Sequence, residues 1–268
     1  MLEKESLALD AQKTGQKIEY FISSEVEDAG LEGAVVMVSG GLDSAVTMAL
    51  TARALGPDNV RAVTLQDRDI TSESDITDVM RLTEGYDVTC DTVEITPVIR
   101  VIRETLPLYD PSSLIPSGNI KLRLVMMVAY HYANTLNYMV IGSSNKTEWL
   151  TGYFTKYGDS GVDLMPLGDL YKTQIRQIAR HLSLPNRILE KPPSAGFWPG
   201  QTDEGELGTS YETIDFVLYG DERGYSDKDI AEQLEVELDL VRRILDRVDA
   251  NEHKRRLPLI LRFSDVTV

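Results

Sequence analysis

The chain carries a single cysteine, Cys90, among 268 residues. No intramolecular disulfide can form, and a cysteine-rich metal centre is excluded. Its three histidines are scattered and lack the spacing of zinc ligands. No apolar run approaches the roughly 20 residues of a membrane-spanning helix. The first residues are charged where a secretory signal would be apolar, so a soluble, cytoplasmic protein is expected. Basic residues are also short: 10 Lys and 17 Arg face 43 Asp and Glu, a formal charge of −16. Binding to nucleic acid depends on cations that neutralise phosphates, so this balance argues against a nucleic-acid partner. No internal repeat or low-complexity tract is present. A hydrophobic fraction of 42% is ample for a core, and this length predicts one domain.

The richest local signal is Val35-Val36-Met37-Val38-Ser39-Gly40-Gly41-Leu42-Asp43-Ser44. A short Val-rich run reads as a buried strand of a parallel sheet. It turns through Ser-Gly-Gly into Ala45–Leu55, which has helical composition and spacing. Amide groups at such a helix start lack intrahelical partners, and the helix dipole adds positive charge. Two readings stand for the turn. In the first, Ser39 or Asp43 merely caps a helix. In the second, the turn cradles a phosphate, and Asp43 beside it makes sense if Mg²⁺ lies between them. Neither a Walker A loop nor a dinucleotide fingerprint is present.

Strands at Val60–Leu65, Val88–Ile95 and Tyr138–Gly142 alternate with helices. The pattern predicts an α/β protein with a doubly wound parallel sheet and a helical C-terminal part. Ligands bind beyond the carboxyl ends of such strands, so Ser39 and Ser143 should face one crevice. An apolar stripe of Ile18, Phe21, Ile22 and Val26 makes an N-terminal helix that packs on the body or on a second subunit. Asn119–Asn134 is a long helix, and Leu108–Pro116 reads as a loop before it. Asp67–Ser74 reads as a mobile loop. Pro185–Ser210, rich in proline and glycine, cannot be one regular element. Ser226–Leu245 mimics a DNA-reading helix pair, but acids outnumber bases there and a structural pair is expected. Cys90, inside the third strand, is read as core filler rather than nucleophile.

Ser-Gly-Gly-Leu-Asp-Ser resembles the pyrophosphate-binding loop of the N-type ATP pyrophosphatases. Further strings sharpen the likeness: Gly118-Asn119-Ile120-Lys121-Leu122-Arg123, Thr151-Gly152-Tyr153-Phe154-Thr155-Lys156-Tyr157-Gly158-Asp159, Lys191-Pro192-Pro193-Ser194, Gly200-Gln201-Thr202-Asp203-Glu204-Gly205-Glu206-Leu207-Gly208 and Glu252-His253-Lys254-Arg255. Together they resemble ammonia-dependent NAD synthetases of the archaeal type, over about 32–258.

That resemblance implies an amide-forming ligase. The nicotinate carboxylate of deamido-NAD would attack the α-phosphate of ATP, release pyrophosphate, and then lose AMP to ammonia. It further implies one synthetase domain: an N-terminal helix (1–30), a nucleotide-binding α/β core (31–185), and a substrate loop with helices (186–268). Ser39, Gly40, Gly41, Leu42, Asp43, Ser44, Ser143, Lys172 and Ser194 match ATP-binding positions. Asp43 and Glu148 match Mg²⁺ ligands and, with Lys172, the catalytic set. Arg123, Lys156, Asp163, His253 and Lys254 match contacts to deamido-NAD. A homodimer without a glutaminase domain is implied. Val125 departs from the pattern, standing where a second arginine is expected. Two rivals remain at this stage: another pyrophosphatase of the superfamily, and a non-catalytic nucleotide sensor that would not need both Asp43 and Glu148.

Overall fold

The computed structural model describes residues 2–198 and 200–261. Helix α1 (Ala11–Asp28) leads into β1 (Gly33–Met37), α2 (Leu42–Leu55), β2 (Val60–Gln66), α3 (Glu73–Gly85) and β3 (Thr89–Glu94). Then come α4 (Thr96–Thr105), α5 (Leu114–Leu136), β4 (Tyr138–Ile141), α6 (Lys146–Thr151), α7 (Lys172–His181) and α8 (Asn186–Leu189). Helices α9 (Asp203–Leu207), α10 (Tyr211–Glu222), α11 (Asp227–Leu234) and α12 (Leu238–Ala250) complete the described part.

All strand pairings are parallel, in the order β3-β2-β1-β4. The order reverses between β1 and β4, which opens a crevice at their carboxyl ends. Alternate residues of β1 serve opposite faces, as the period of a strand requires. Ala34 and Val36 join Ile18, Ile22, Val46, Met48 and Ile178 in one core. Val35 instead joins Val63, Val140, Ala129 and Ala133 beneath α5. Both faces of the sheet are therefore covered, which explains the unbroken apolar reading of that strand.

The stripe on α1 is spent on the body: Ile18, Ile22 and Val26 are buried, and Phe21 is 38% exposed at the edge. Helix α5 begins at Leu114, five residues before the sequence reading and within the segment read as a loop. Pro116 falls in its first turn, where an amide has no helical partner to lose. Asn137 ends it in the left-handed conformation at φ 58°. The Pro185–Ser210 segment is not one element, yet it contains α8 and α9, and Ile188 of α8 is buried in the main core. The segment at 67–74 is anchored: Asp67 is buried, pairs with Lys121 at 3.4 Å, and its carbonyl accepts the Thr71 amide at 2.6 Å. Helices α10–α12 build a second core around Ile214, Val217, Ile230, Val241 and Ile244. The helix pair α11–α12 is thus structural, and Arg247 of α12 donates to the Thr151 carbonyl at the end of α6. Cys90 is half-buried, and burial pushes its thiol pKa up, as suits filler. Among the described residues no helix is long and apolar enough to cross a membrane.

Candidate active site

The turn after β1 is closed by its own hydroxyls. Ser44 Oγ accepts the Ser39 amide at 3.2 Å and donates to the Gly41 carbonyl at 3.1 Å. Ser39 Oγ accepts the Gly41 amide at 3.3 Å. Gly40 sits at φ +75°, and a Cβ there would also come within 3.2 Å of the Asp75 carbonyl. A side chain is therefore strained at this position on two counts. The first amides of α2 are left without helical partners, and Leu42, Asp43 and Ser44 line the crevice. The turn is preshaped for an anion.

Asp43 lies in the first turn of α2, and Glu148 in the first turn of α6. Asn145 caps α6 by accepting the Glu148 amide at 2.9 Å, and the Glu148 carboxylate reaches back to the Asn145 amide at 3.3 Å. Lys172 opens α7, its side chain only 4% exposed. Its ammonium bonds the Asp43 carboxylate and lies 3.2 Å from Glu148 Oε1. Asn145 Nδ2 donates to Asp43 at 3.3 Å. The ring of Tyr211 lies 4.9 Å from the ammonium, and its hydroxyl donates to Asp203 at 3.0 Å. Buried Asp215 on α10 fixes the geometry from behind. It accepts from Thr147 Oγ1 at 2.5 Å and from the Thr173 amide at 2.8 Å, tying α6 to α7.

Burial raises Glu148 to about 7, although the Lys172 ammonium pulls it down; the Asp43 charge adds to the rise. Burial lowers the pKa of Lys172, but Asp43 and Glu148 outweigh it and the net shift is upward. Asp203 is raised by burial too, against the pull of Lys172. A cationic lysine between two carboxylates is the electrostatic centre of the site.

Around it lies a cavity of about 370 Å³ whose wall includes Ser39, Gly41, Leu42, Asp43 and Ser44. Ser143, Glu148, Lys172 and Ser194 line it too, so strand ends and loop meet in one crevice. Gly40 is in the turn, and its carbonyl is 3.4 Å from Lys191 Nζ. The resemblance-derived dinucleotide contacts do not line this cavity. Four of them form a separate chain at its flank: Arg123 donates to the Lys156 carbonyl at 3.4 Å, and Lys156 Nζ to the His253 carbonyl at 2.6 Å. Lys254 donates to the carbonyls of Gly152 and Phe154 at 2.7 and 3.0 Å. Asp163 stands apart from these four, accepting from Tyr130 and from the Val140 amide, each at 2.8 Å.

A profile of the NAD synthase family matches residues 14–258. The chain belongs to the NAD synthase family. The NH(3)-dependent NAD(+) synthetase of Methanococcoides burtonii is 44% identical over 246 residues, covering 92% of this chain and 93% of that one. Among solved structures, NMN synthetase from Francisella tularensis superposes with a TM-score of 0.84 at 33% identity, covering 96% of this chain and all of that one. The NH3-dependent NAD synthetase of Campylobacter jejuni, solved with nitrate, gives 0.79 at 29% identity, over 95% of this chain and all of that one.

Several residues of this NAD synthase family member escaped the sequence reading as site residues. Tyr211 lies beyond every motif string and carries no local signal. Asp203 and Tyr153 are inside the strings, but their role is tertiary: Tyr153 donates to Asp203 at 3.0 Å. Asp159 is half-buried at the cavity wall, and desolvation there raises its pKa to about 6. Val125, in place of the expected arginine, is a half-buried wall residue. Lys172 is buried, at 3% exposure, rather than a solvated helix residue.

The raised pKa of Glu148 sets a sign for stability against pH. Its contribution is complete below the ordinary carboxylate range and is lost as pH rises through about 7. Glu148→Gln removes that loss while Asp159 and Asp215 titrate equally in both proteins. Without added metal, thermal melts should therefore show the variant gaining on the wild type between pH 5.5 and pH 8. A constant difference, or a drift the other way, contradicts the assignment.

Proposed function

We propose that this protein makes NAD in the cytoplasm by amidating the nicotinate carboxylate of deamido-NAD with ammonia, driven by cleavage of ATP to AMP and pyrophosphate. The observation that carries this reading is the meeting of a preshaped anion turn with Asp43, Glu148 and Lys172 in one cavity, within this family. A carboxylate is a poor acyl donor; joining it to the α-phosphate of ATP supplies a leaving group. One carboxylate oxygen attacks the α-phosphorus while the Ser39–Ser44 turn holds the β,γ-phosphates. Ammonia then adds to the acyl carbon, and AMP departs with that oxygen. Ser143, Lys172 and Ser194 complete the ATP contacts. Arg123, Lys156, Asp163, His253 and Lys254 are assigned to deamido-NAD, in keeping with the cationic chain at the cavity flank.

Mg²⁺ suits the donor set, since two hard carboxylates converge on a single cationic centre. Asp43 and Glu148 would hold the ion, and its chemistry there is to offset charge on the departing pyrophosphate. Glu148, with its raised proton affinity, would give up a proton on metal binding.

The Francisella structure favours a second substrate, nicotinate mononucleotide, which carries the same reacting carboxylate. The discriminating assay supplies ATP, Mg²⁺ and ammonium with either substrate. Deamido-NAD should be turned over with AMP and pyrophosphate in equal amounts, and glutamine should not replace ammonium. Preference for the mononucleotide would transfer the assignment to it; ADP as product would end both.

We also propose a homodimer. The faces of α4 and α5 leave Val98, Val101, Leu114, Ile115 and Met127 exposed at 42% to 63%. Exposed apolar side chains concentrated on two neighbouring segments of the chain suit an association surface. Light scattering at assay concentration should give twice the chain mass. An active monomer would rule the dimer out.

A further inference from the structure

The cavity must take a triphosphate, on the reading given above, yet its wall is not cationic. Four cationic side chains line it, Lys121, Lys172, Arg176 and Lys191, against five carboxylates. Two of the four are committed. Lys172 is enclosed between Asp43 and Glu148. Lys121 pairs with buried Asp67 and also donates to the Gly196 carbonyl at 3.1 Å. Their charge is already balanced inside the protein.

Arg176 and Lys191 differ. Arg176 lies one turn on from Lys172 along α7, so both project from the same helix face into the cavity. Among the described residues its guanidinium has no hydrogen bond, ion pair or ring contact, although it is half-buried at the wall. A planar fork of donors without an acceptor is suited to phosphate oxygens. Lys191 reaches the phosphate turn from the opposite side, out of the segment after α8. Its ammonium is 3.4 Å from the Gly40 carbonyl and 2.8 Å from Asp75, with the side chain 30% exposed. A half-exposed pair of this kind is worth little and exchanges readily.

We propose that Arg176 and Lys191 form a clamp for the β- and γ-phosphates of ATP, and hence for pyrophosphate, one cation from the rigid α7 and one from the mouth segment. Lys191 exchanges Asp75 for a phosphate oxygen, which draws Lys191-Pro192-Pro193-Ser194 onto the nucleotide. Lys172 touches ATP as assigned above but brings little unbalanced charge to it, because Asp43 and Glu148 hold its ammonium. The clamp acts on the leaving group alone and makes no demand on the adenosine or on the α-phosphate.

That selectivity provides the test. Calorimetric titrations of magnesium pyrophosphate and of AMP are run on the wild type, Arg176→Ala, Arg176→Lys and Lys191→Ala, with thermal melts to confirm folding. Each alanine variant should weaken pyrophosphate about tenfold, as expected for loss of a charge-assisted contact. AMP affinity should not change, the KM for ATP should rise, and Arg176→Lys should recover part of the loss. Undiminished pyrophosphate affinity in either alanine variant, or an equal loss for AMP, overturns the clamp. A wild type that binds neither ATP nor pyrophosphate overturns the ATP reading of the cavity itself. Normal wild-type binding with unaltered variants overturns the clamp alone.

Discussion

A buried ammonium held by two carboxylates is the constraint on which the site depends. Lys172, Asp43 and Glu148 come from the first turns of α7, α2 and α6. None of the three could be buried alone without a large desolvation cost, and removing one partner leaves the others uncompensated. The three helix starts are therefore locked in mutual position. Asp215 repeats the arrangement one layer back, where a buried carboxylate joins α6 to α7 through Thr147 and Thr173. The switch point of the sheet provides the crevice, and these two polar brackets give it a fixed shape.

The segment from Glu148 to Asp159 spans both halves of the problem. Glu148 lines the cavity beside Asp43 and Lys172, and Tyr153 reaches Asp203 on α9. Lys156 extends towards His253, and Asp159 returns to the cavity wall. Aromatic stacking of Trp149 on Phe154, with ring centroids 5.0 Å apart, and the Lys254 bonds to Gly152 and Phe154 hold this path in place. Chemistry between two large substrates needs such a junction, because positioning supplies much of the rate of a two-substrate step.

Much of this was legible in the residues. The Val35–Val38 run, the Ser-Gly-Gly turn and the alternation of elements led to the parallel sheet and its crevice without further help. Asp43 was legible as a residue of that crevice because it directly follows the turn at the end of β1. Glu148 and Lys172 were not; their local sequence is that of ordinary helix starts, both lie outside the motif strings, and only the overall family resemblance singled them out. Tyr211, Asp203 and Asp215 act through contacts 8 to 68 positions away in the chain, which no local pattern encodes. The start of α5 was missed because Pro116 reads as a breaker, although the first turn of a helix tolerates it. The basic cluster at His253–Lys254 was visible as charge, whereas its use of backbone carbonyls in the 152–156 segment is a property of the fold.

The central claim is that the cavity activates a carboxylate by joining it to the α-phosphate of ATP. The most direct measurement places ¹⁸O in the nicotinate carboxylate of deamido-NAD and follows it by mass spectrometry after turnover with ATP and ammonium. One labelled oxygen should appear in AMP and none in pyrophosphate. Label absent from AMP, or label in phosphate released beside ADP, would contradict the account.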